Sequence, residues 1–267
     1  MKTAFGPLCL ALLLCGCPEK PPVYPLDGGL STEEQEVTDR AGRGSNAVQM
    51  FADVADSVFN FDPTLDPTKD ETQNAAAIQA QAMTSLNGCG SATLNGTTVT
   101  VDFGAMCTLK NGSIASGSIA VGVAKNGSMI TLTVTMTMLK VNGASLDGSL
   151  TMTTSNATTF TTIGSLTTAD GTYNSNLTLN GTATSIGISG TLQEAMGTTK
   201  ANYTYTFVVW NRADCYPNSG SVKIQRGSVM STITFDAETA ATGKVSVATG
   251  RVTVPGHLPA YGSCPMM

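Results

Sequence analysis

Seven cysteines, one histidine and a short run of carboxylates are the side chains here with the most chemistry to offer. The histidine, His257, stands in VPGHLPAYGSC. A single imidazole makes no His–His metal pair, and any Ser-His-Asp triad would have to use this one. Set among Pro and Gly, it reads as a loop residue. No G-x-S-x-G elbow, S-x-x-K pair, H-E-x-x-H helix or phosphate-binding G-x-x-x-x-G-K-[ST] loop occurs, so no catalytic residue is assigned. The stretch FDPTLDPTKDE gathers Asp62, Asp66, Asp70 and Glu71. Calcium takes several converging carboxylate oxygens, but EF-hand ligands recur every second residue, and the spacing here is four. Helix caps in front of Pro63 and Pro67 explain Asp62 and Asp66 without an ion. No metal and no cofactor are assigned.

The chain opens MKTAFGPLCLALLLCGCPEKPP. Lys2 supplies a positive start, and Leu8 to Leu14 an apolar run too short to span a bilayer. Leu14-Cys15-Gly16-Cys17 resembles the lipobox of bacterial lipoproteins, in which Leu stands three before an invariant Cys that follows a small residue. The sequence departs from that pattern at Cys15, where Ala or Ser is usual. Over these first residues the resemblance implies a signal peptide of residues 1–16, cleavage before Cys17, and lipidation of the Cys17 thiol with palmitate-like chains. It also implies a cell-envelope address, on the inner or outer membrane and facing the periplasm or the cell surface. One acyl chain holds weakly, whereas two or more anchor stably. The segment VDFGAMCTLKNGSIASGSIAV is similar to a hairpin of β-rich exported bacterial lipoproteins without assigned function, a likeness that implies no activity.

Export puts Cys89, Cys107, Cys215 and Cys264 in an oxidising compartment, where an even number suggests two disulfides among three pairings. Cys89–Cys107 and Cys215–Cys264 close the shorter loops, each worth roughly 3 kcal/mol in the chain-entropy model. A tight turn at Asn95-Gly96 sets Cys89 opposite Asp102, so the chain after Phe103 must curl back to bring Cys107 round. Structural zinc competes poorly, because no C-x-x-C pair is present.

Charge is sparse and uneven. Residues 31–88 carry ten acids against Arg40, Arg43 and Lys69, while from Cys89 onward nine Lys and Arg face seven acids. Without a basic cluster, nucleic acid is not a partner. The aromatic residues gather late. In YTYTFVVWN, alternation puts Tyr203, Tyr205 and Phe207 on one face and Trp210 on the other. Tyr203, Tyr205 and Trp210, with Arg212 beside them, are the candidate binding residues for a sugar or a partner protein. Met129, Met136, Met138, Met152, Met196 and Met230 read as core filling, with an apolar ligand as the other use for such adaptable side chains.

The elements that must position these residues change type at Cys89. Residues 17–30 read as a Pro-rich tether, and residues 31–267 as one domain, helical over 31–88 and antiparallel β over 89–267. One amphipathic helix is expected from Asn46 to Phe59. A second is expected from Asp66-Pro67, with Asp66 as N-cap, to Leu86. Beyond, MITLTVTMTML alternates strictly, with Ile130, Leu132, Val134, Met136 and Met138 on the inward face and threonines outward. Asn-Gly and Asp-Gly dipeptides at 95, 111, 126, 142, 147, 170 and 180 mark hairpin turns. The fold class is mainly β (α+β): a curved antiparallel up-and-down sheet or open barrel with two N-terminal helices packed on it. CTLKNGSIASGSIAV and CYPNSGSVKI are loosely alike and read as two similar hairpins rather than a duplication.

The expected protein is a lipid-anchored envelope molecule that binds without catalysis and carries an apolar ligand or partner. The alternative is an envelope-structural or interaction lipoprotein, and an exported hydrolase is the third reading. The membrane, through the anchor, is the first partner; an apolar ligand or an envelope protein is the second. Replacing Cys17 by Ser tests the anchor. Metabolic palmitate labelling is expected to disappear, and fractionation should no longer find the protein with membranes.

Overall fold

The computed structural model describes residues 65–110, 114–141, 143–168, 171–182, 184–196, 199–211, 214, 216–250 and 252–258. Cys17, the tether, the expected helix at Asn46–Phe59, Arg212, Cys215 and Cys264 lie outside them.

The helix expected from Asp66 begins four residues later, as α1 (Glu71–Ser85). Asp66 Oδ1 accepts from the Thr68 backbone N–H at 2.8 Å and from its hydroxyl at 2.6 Å, which uses this carboxylate in a turn. Asp70 is the cap instead. Its Oδ1 accepts from Gln73 N–H at 2.8 Å while Gln73 Oε1 accepts from Asp70 N–H, a reciprocal capping box. Buried Asn74 ties the turn to the helix: Nδ2 donates to the Asp66 and Asp70 carbonyls, and Oδ1 accepts from Asp66 N–H. Ala75, Ile78, Ala82 and Leu86 then enter the same apolar core as the sheet. The helix lies against the first three strands, and Gln79 Nε2 donates to the Ala92 carbonyl at 3.0 Å.

Among the described residues thirteen strands follow: β1 (Ser91–Asn95), β2 (Thr98–Thr108), β3 (Ile114–Asn126), β4 (Met129–Val141), β5 (Ala144–Thr154), β6 (Thr159–Thr168) and β7 (Gly171–Gly181). The series continues with β8 (Ser185–Met196), β9 (Thr199–Asn211), β10 (Ser219–Arg226), β11 (Val229–Phe235), β12 (Lys244–Thr249) and β13 (Val252–His257). Each pairs antiparallel with the next, so sheet order is chain order; β1 and β13 are edges and the sheet is not closed. A six-residue helix, α2 (Ala237–Thr242), links β11 to β12 and ends at left-handed Gly243. Strands β1 to β12 each turn one face into a single continuous core, with Leu94 on β1 and Val229 on β11 partly buried at its margin.

A sheet this long buries its own face only by coiling hard, and the glycines show where it does. Gly148, Gly164 and Gly190 stand at inward positions on β5, β6 and β8. The corresponding small residue on β7 is Ser175, whose hydroxyl donates to the Gly164 carbonyl at 3.2 Å. Register places the four on an oblique line across the sheet. A Cβ at Gly148 would lie 2.1 Å from the Ser165 carbonyl oxygen, and one at Gly164 2.2 Å from that of Ser149. The line is a crease, and at its three glycines the neighbouring backbone approaches too closely for a side chain.

Two bulges shift the inward phase. On β4, Ile130, Leu132, Val134 and Met136 point inward as expected, but Met138 does not. The register shifts between Met136 and Leu139, Met138 takes φ +48°, and Leu139 and Val141 become the buried residues. On β9, Phe207 takes φ +47° and turns outward, which brings Val208 and Trp210 inward with Tyr203 and Tyr205. The opposition expected between Trp210 and the tyrosines is corrected by that one extra residue. Both bulges are built alike. The Met138 N–H donates to Asp147 Oδ1, and the Phe207 N–H to Ser189 Oγ. Gly117 and Gly220 meet the Met138 and Phe207 carbonyls from the other side, each in a Ser-Gly-Ser triplet. The order of glycine strand, bulge and cap reverses between the two, so the likeness is a shared local device.

Turn signals met three outcomes. Asn95 and Asn126 close their strands while Gly96 and Gly127, near φ +60°, open the two-residue turns. The β1–β2 pairing therefore sets Ser91, not Cys89, opposite Asp102. Asp147-Gly148 lies within β5 and Asn180-Gly181 ends β7, so neither is a turn. The Cys89–Cys107 disulfide is formed, with Cα atoms 5.3 Å apart. The chain does not curl back after Phe103: β2 runs on to Thr108, with two register shifts against β3 between Asp102 and Cys107. Gly148→Ala is expected to lower stability by about 3 kcal/mol in urea unfolding. Gly122→Ala, where the added carbon meets its nearest neighbours at an ordinary 3.9 Å, should change it by less than about 0.5 kcal/mol. Equal losses at both positions would remove the crease as an explanation.

Candidate functional site

The densest group of polar side chains in the interior lies across β7, β8 and β9. On β8, Ile186, Ile188, Leu192 and Glu194 share the inward phase, so the strand that supplies apolar residues also delivers a carboxyl group to the core. Register places Glu194 beside Tyr173 on β7 and Ala201 on β9. Tyr203, two residues further along β9, donates its hydroxyl hydrogen to Glu194 Oε2. Tyr173, Glu194, Tyr203 and Tyr205 are all buried.

Burial raises the phenol pKa of both Tyr203 and Tyr205 well above the ordinary value. For Tyr203 the nearby Glu194 charge and the hydrogen bond to it add to the effect, and for Tyr205 the neighbouring Tyr173 does. Chemically, this arrangement holds a proton in place: a phenol that resists ionisation, bonded to a carboxyl group shielded from water. It ties β8 to β9 at the depth where unpaired polar atoms are costly.

The residues singled out for binding have separate positions. Tyr203 and Tyr205 are in the core, not on a face that a sugar or protein can reach. Trp210 follows them inward, 9% exposed, and its indole N–H has no hydrogen-bond partner among the described residues. His257 ends β13, paired with Lys244 on β12 at the outer edge of the sheet. Of the acidic run, Asp66 is held by Thr68 and Asp70 caps α1. Hydrogen bonds from Thr68 lower the Asp66 pKa, with Lys69 and Lys125 adding to the effect. No group of three His, Cys, Asp or Glu side chains suited to a metal ion occurs among the described residues. Met136 and Met152 fill the core, whereas Met129, Met138 and Met230 are exposed.

Sequence reasoning passed over Glu194. The signal was available: GISGTLQEAM keeps its large apolar residues, Ile188, Leu192 and Met196, at even positions, and Glu194 falls in that phase.

Comparison with protein-family models, with curated proteins and with solved structures gives no match to the chain.

The tyrosine pair gives stability a definite alkaline limit. Both phenols have folded pKa values above their unfolded value of about 10, so their contribution is complete below that pH. Above it, the unfolded chain releases protons that the folded chain keeps, and stability falls by about 1.4 kcal/mol per pH unit for each tyrosine. Urea midpoints measured from pH 9 to 11.5 should fall on that slope. Tyr203→Phe is expected to make the decline shallower by one proton's worth.

Proposed function

We propose that this is a lipid-tethered protein of the bacterial cell envelope that works as a non-catalytic interaction module through the outside of its sheet. The observation that carries the reading is the filled interior. The inward faces of β1 to β12 and the inner side of α1 meet in one continuous core of buried apolar residues. Aromatic residues that would suit a ligand, Tyr203 and Tyr205 above all, are used in that core. Recognition is therefore assigned to outward residues.

Tethering supports the same reading. A module held at the membrane by acyl chains meets its neighbours at high effective concentration, so modest contacts suffice for partner binding. The outward strand faces are rich in threonine and poor in charge, which suits contact with an uncharged or weakly charged surface.

Cross-linking in intact cells tests the proposal. A reproducible adduct with one envelope protein is expected, and organic extraction of the purified protein should yield no lipid beyond the N-terminal acyl chains. A stoichiometric apolar molecule released from the folded domain would favour the carrier reading instead.

A further inference from the structure

The bulge on β4 does more than interrupt a strand. It turns an apolar residue to solvent at a strained backbone position, an arrangement that stability alone does not favour. Met138 is 75% exposed with φ in the left-handed region. Two strands away, the irregular end of β2 also turns a methionine to solvent: Met106 is 73% exposed, next to the register shifts that precede Cys107. Ile114 begins β3 opposite Thr108, beside Met106 on the same outward face. Three apolar side chains thus gather at one end of β2, β3 and β4. Two exposed lysines stand beside them: Lys140, two residues beyond Met138 and paired with Ser116, and Lys110, just after β2. The nearby carboxylates turn toward the backbone. Asp102 accepts from Gly104 N–H at 2.8 Å, and Asp147 accepts from Met138 N–H.

We propose that this patch is where the domain rests on the bilayer, with Met106, Ile114 and Met138 entering the headgroup region and Lys110 and Lys140 facing anionic lipid. Three observations favour a lipid surface over a protein partner. The side chains project from the convex face of a curved sheet as knobs, a shape that enters a soft phase. Their combined area, on the order of 300 Å², is far below the ~800 Å² per partner that a stable protein interface buries. Apolar residues flanked by lysine are also the composition of interfacial membrane contacts, in which acyl anchors and basic residues act together. The inference rests on the proposed tether, since a patch this small holds a bilayer only when something else keeps it nearby.

Vesicle flotation of the full chain produced without acylation isolates the patch from the anchor. Binding to vesicles of phosphatidylglycerol and phosphatidylethanolamine is expected, weak and salt-sensitive, and should exceed binding to phosphatidylcholine alone. Met106→Gln with Met138→Gln should lower it at least tenfold, with the melting temperature retained. Should that variant fold poorly, peroxide oxidation of the native chain gives the same information. Vesicles should protect Met106 and Met138 but not exposed Met129, nine residues away along β4 and ~30 Å distant. Equal binding by native and variant chains, or equal oxidation with and without vesicles, would overturn the proposal. So would a dimer in sedimentation that the double variant abolishes, since the patch would then be a contact between copies. Because acylation is absent from these assays, their failure leaves the tether untouched, and loss of palmitate labelling in the Cys17→Ser chain reports on the tether alone.

Discussion

The architecture depends on how closely two neighbouring backbones can approach inside a sheet that has to bury its own face. A single meander has no second sheet to pack against, so its apolar side stays out of water only if the strands coil around it. Coiling brings the chain at Gly148, Gly164 and Gly190 so near the next strand that a Cβ would meet a carbonyl oxygen at 2.1 to 2.3 Å. Without a crease of small residues the sheet would be flatter, and the inward rows of leucine, valine and tyrosine would lose their shared core. The Cys89–Cys107 bridge then joins the loop after α1 to the bulged end of β2, and α1 covers the first three strands.

Strain is placed at two other points, and both alter what the protein shows to its surroundings. Met138 and Phe207 take a backbone conformation that L-residues disfavour, each held by a side-chain oxygen on one neighbouring strand and a glycine on the other. The result is the same in both places: an apolar side chain faces outward and the rest of the strand changes phase. On β9 this brings Trp210 into the core. On β4 it sets a methionine next to Met106 and Ile114, at the end of the sheet where the proposed membrane contact lies. The interior polar group behaves in the opposite way, since Tyr203 donates to Glu194 away from solvent and the pair links β9 to β8.

Alternation and composition alone were enough to read the mainly β class, the meander, the helix ending near Leu86 and the Cys89–Cys107 pairing. Each is a local property or a consequence of loop length: period two in MITLTVTM, a stop at Asn87-Gly88, a short loop between cysteines. The candidate site was far less legible. Tyr203 and Tyr205 looked like a binding surface because alternation says which residues share a face but not which face is buried. Glu194 was overlooked because a charged residue is ordinarily assigned to solvent.

What the residues determined by themselves was therefore periodicity, the Cys89–Cys107 pairing and the lipobox resemblance, all written in short stretches of chain. Only the tertiary structure decided the start of α1, the outward turn of Met138 and Phe207, and the use of Asp147-Gly148 within a strand, beside the β4 bulge, instead of in a hairpin turn. The physical reason is common to these cases. Asp70 becomes the cap because Asn74 folds back on Asp66, and Gly148 leaves the turn because Ser165 on the next strand needs its space. Contacts between residues distant along the chain outweigh preferences that each segment expresses alone.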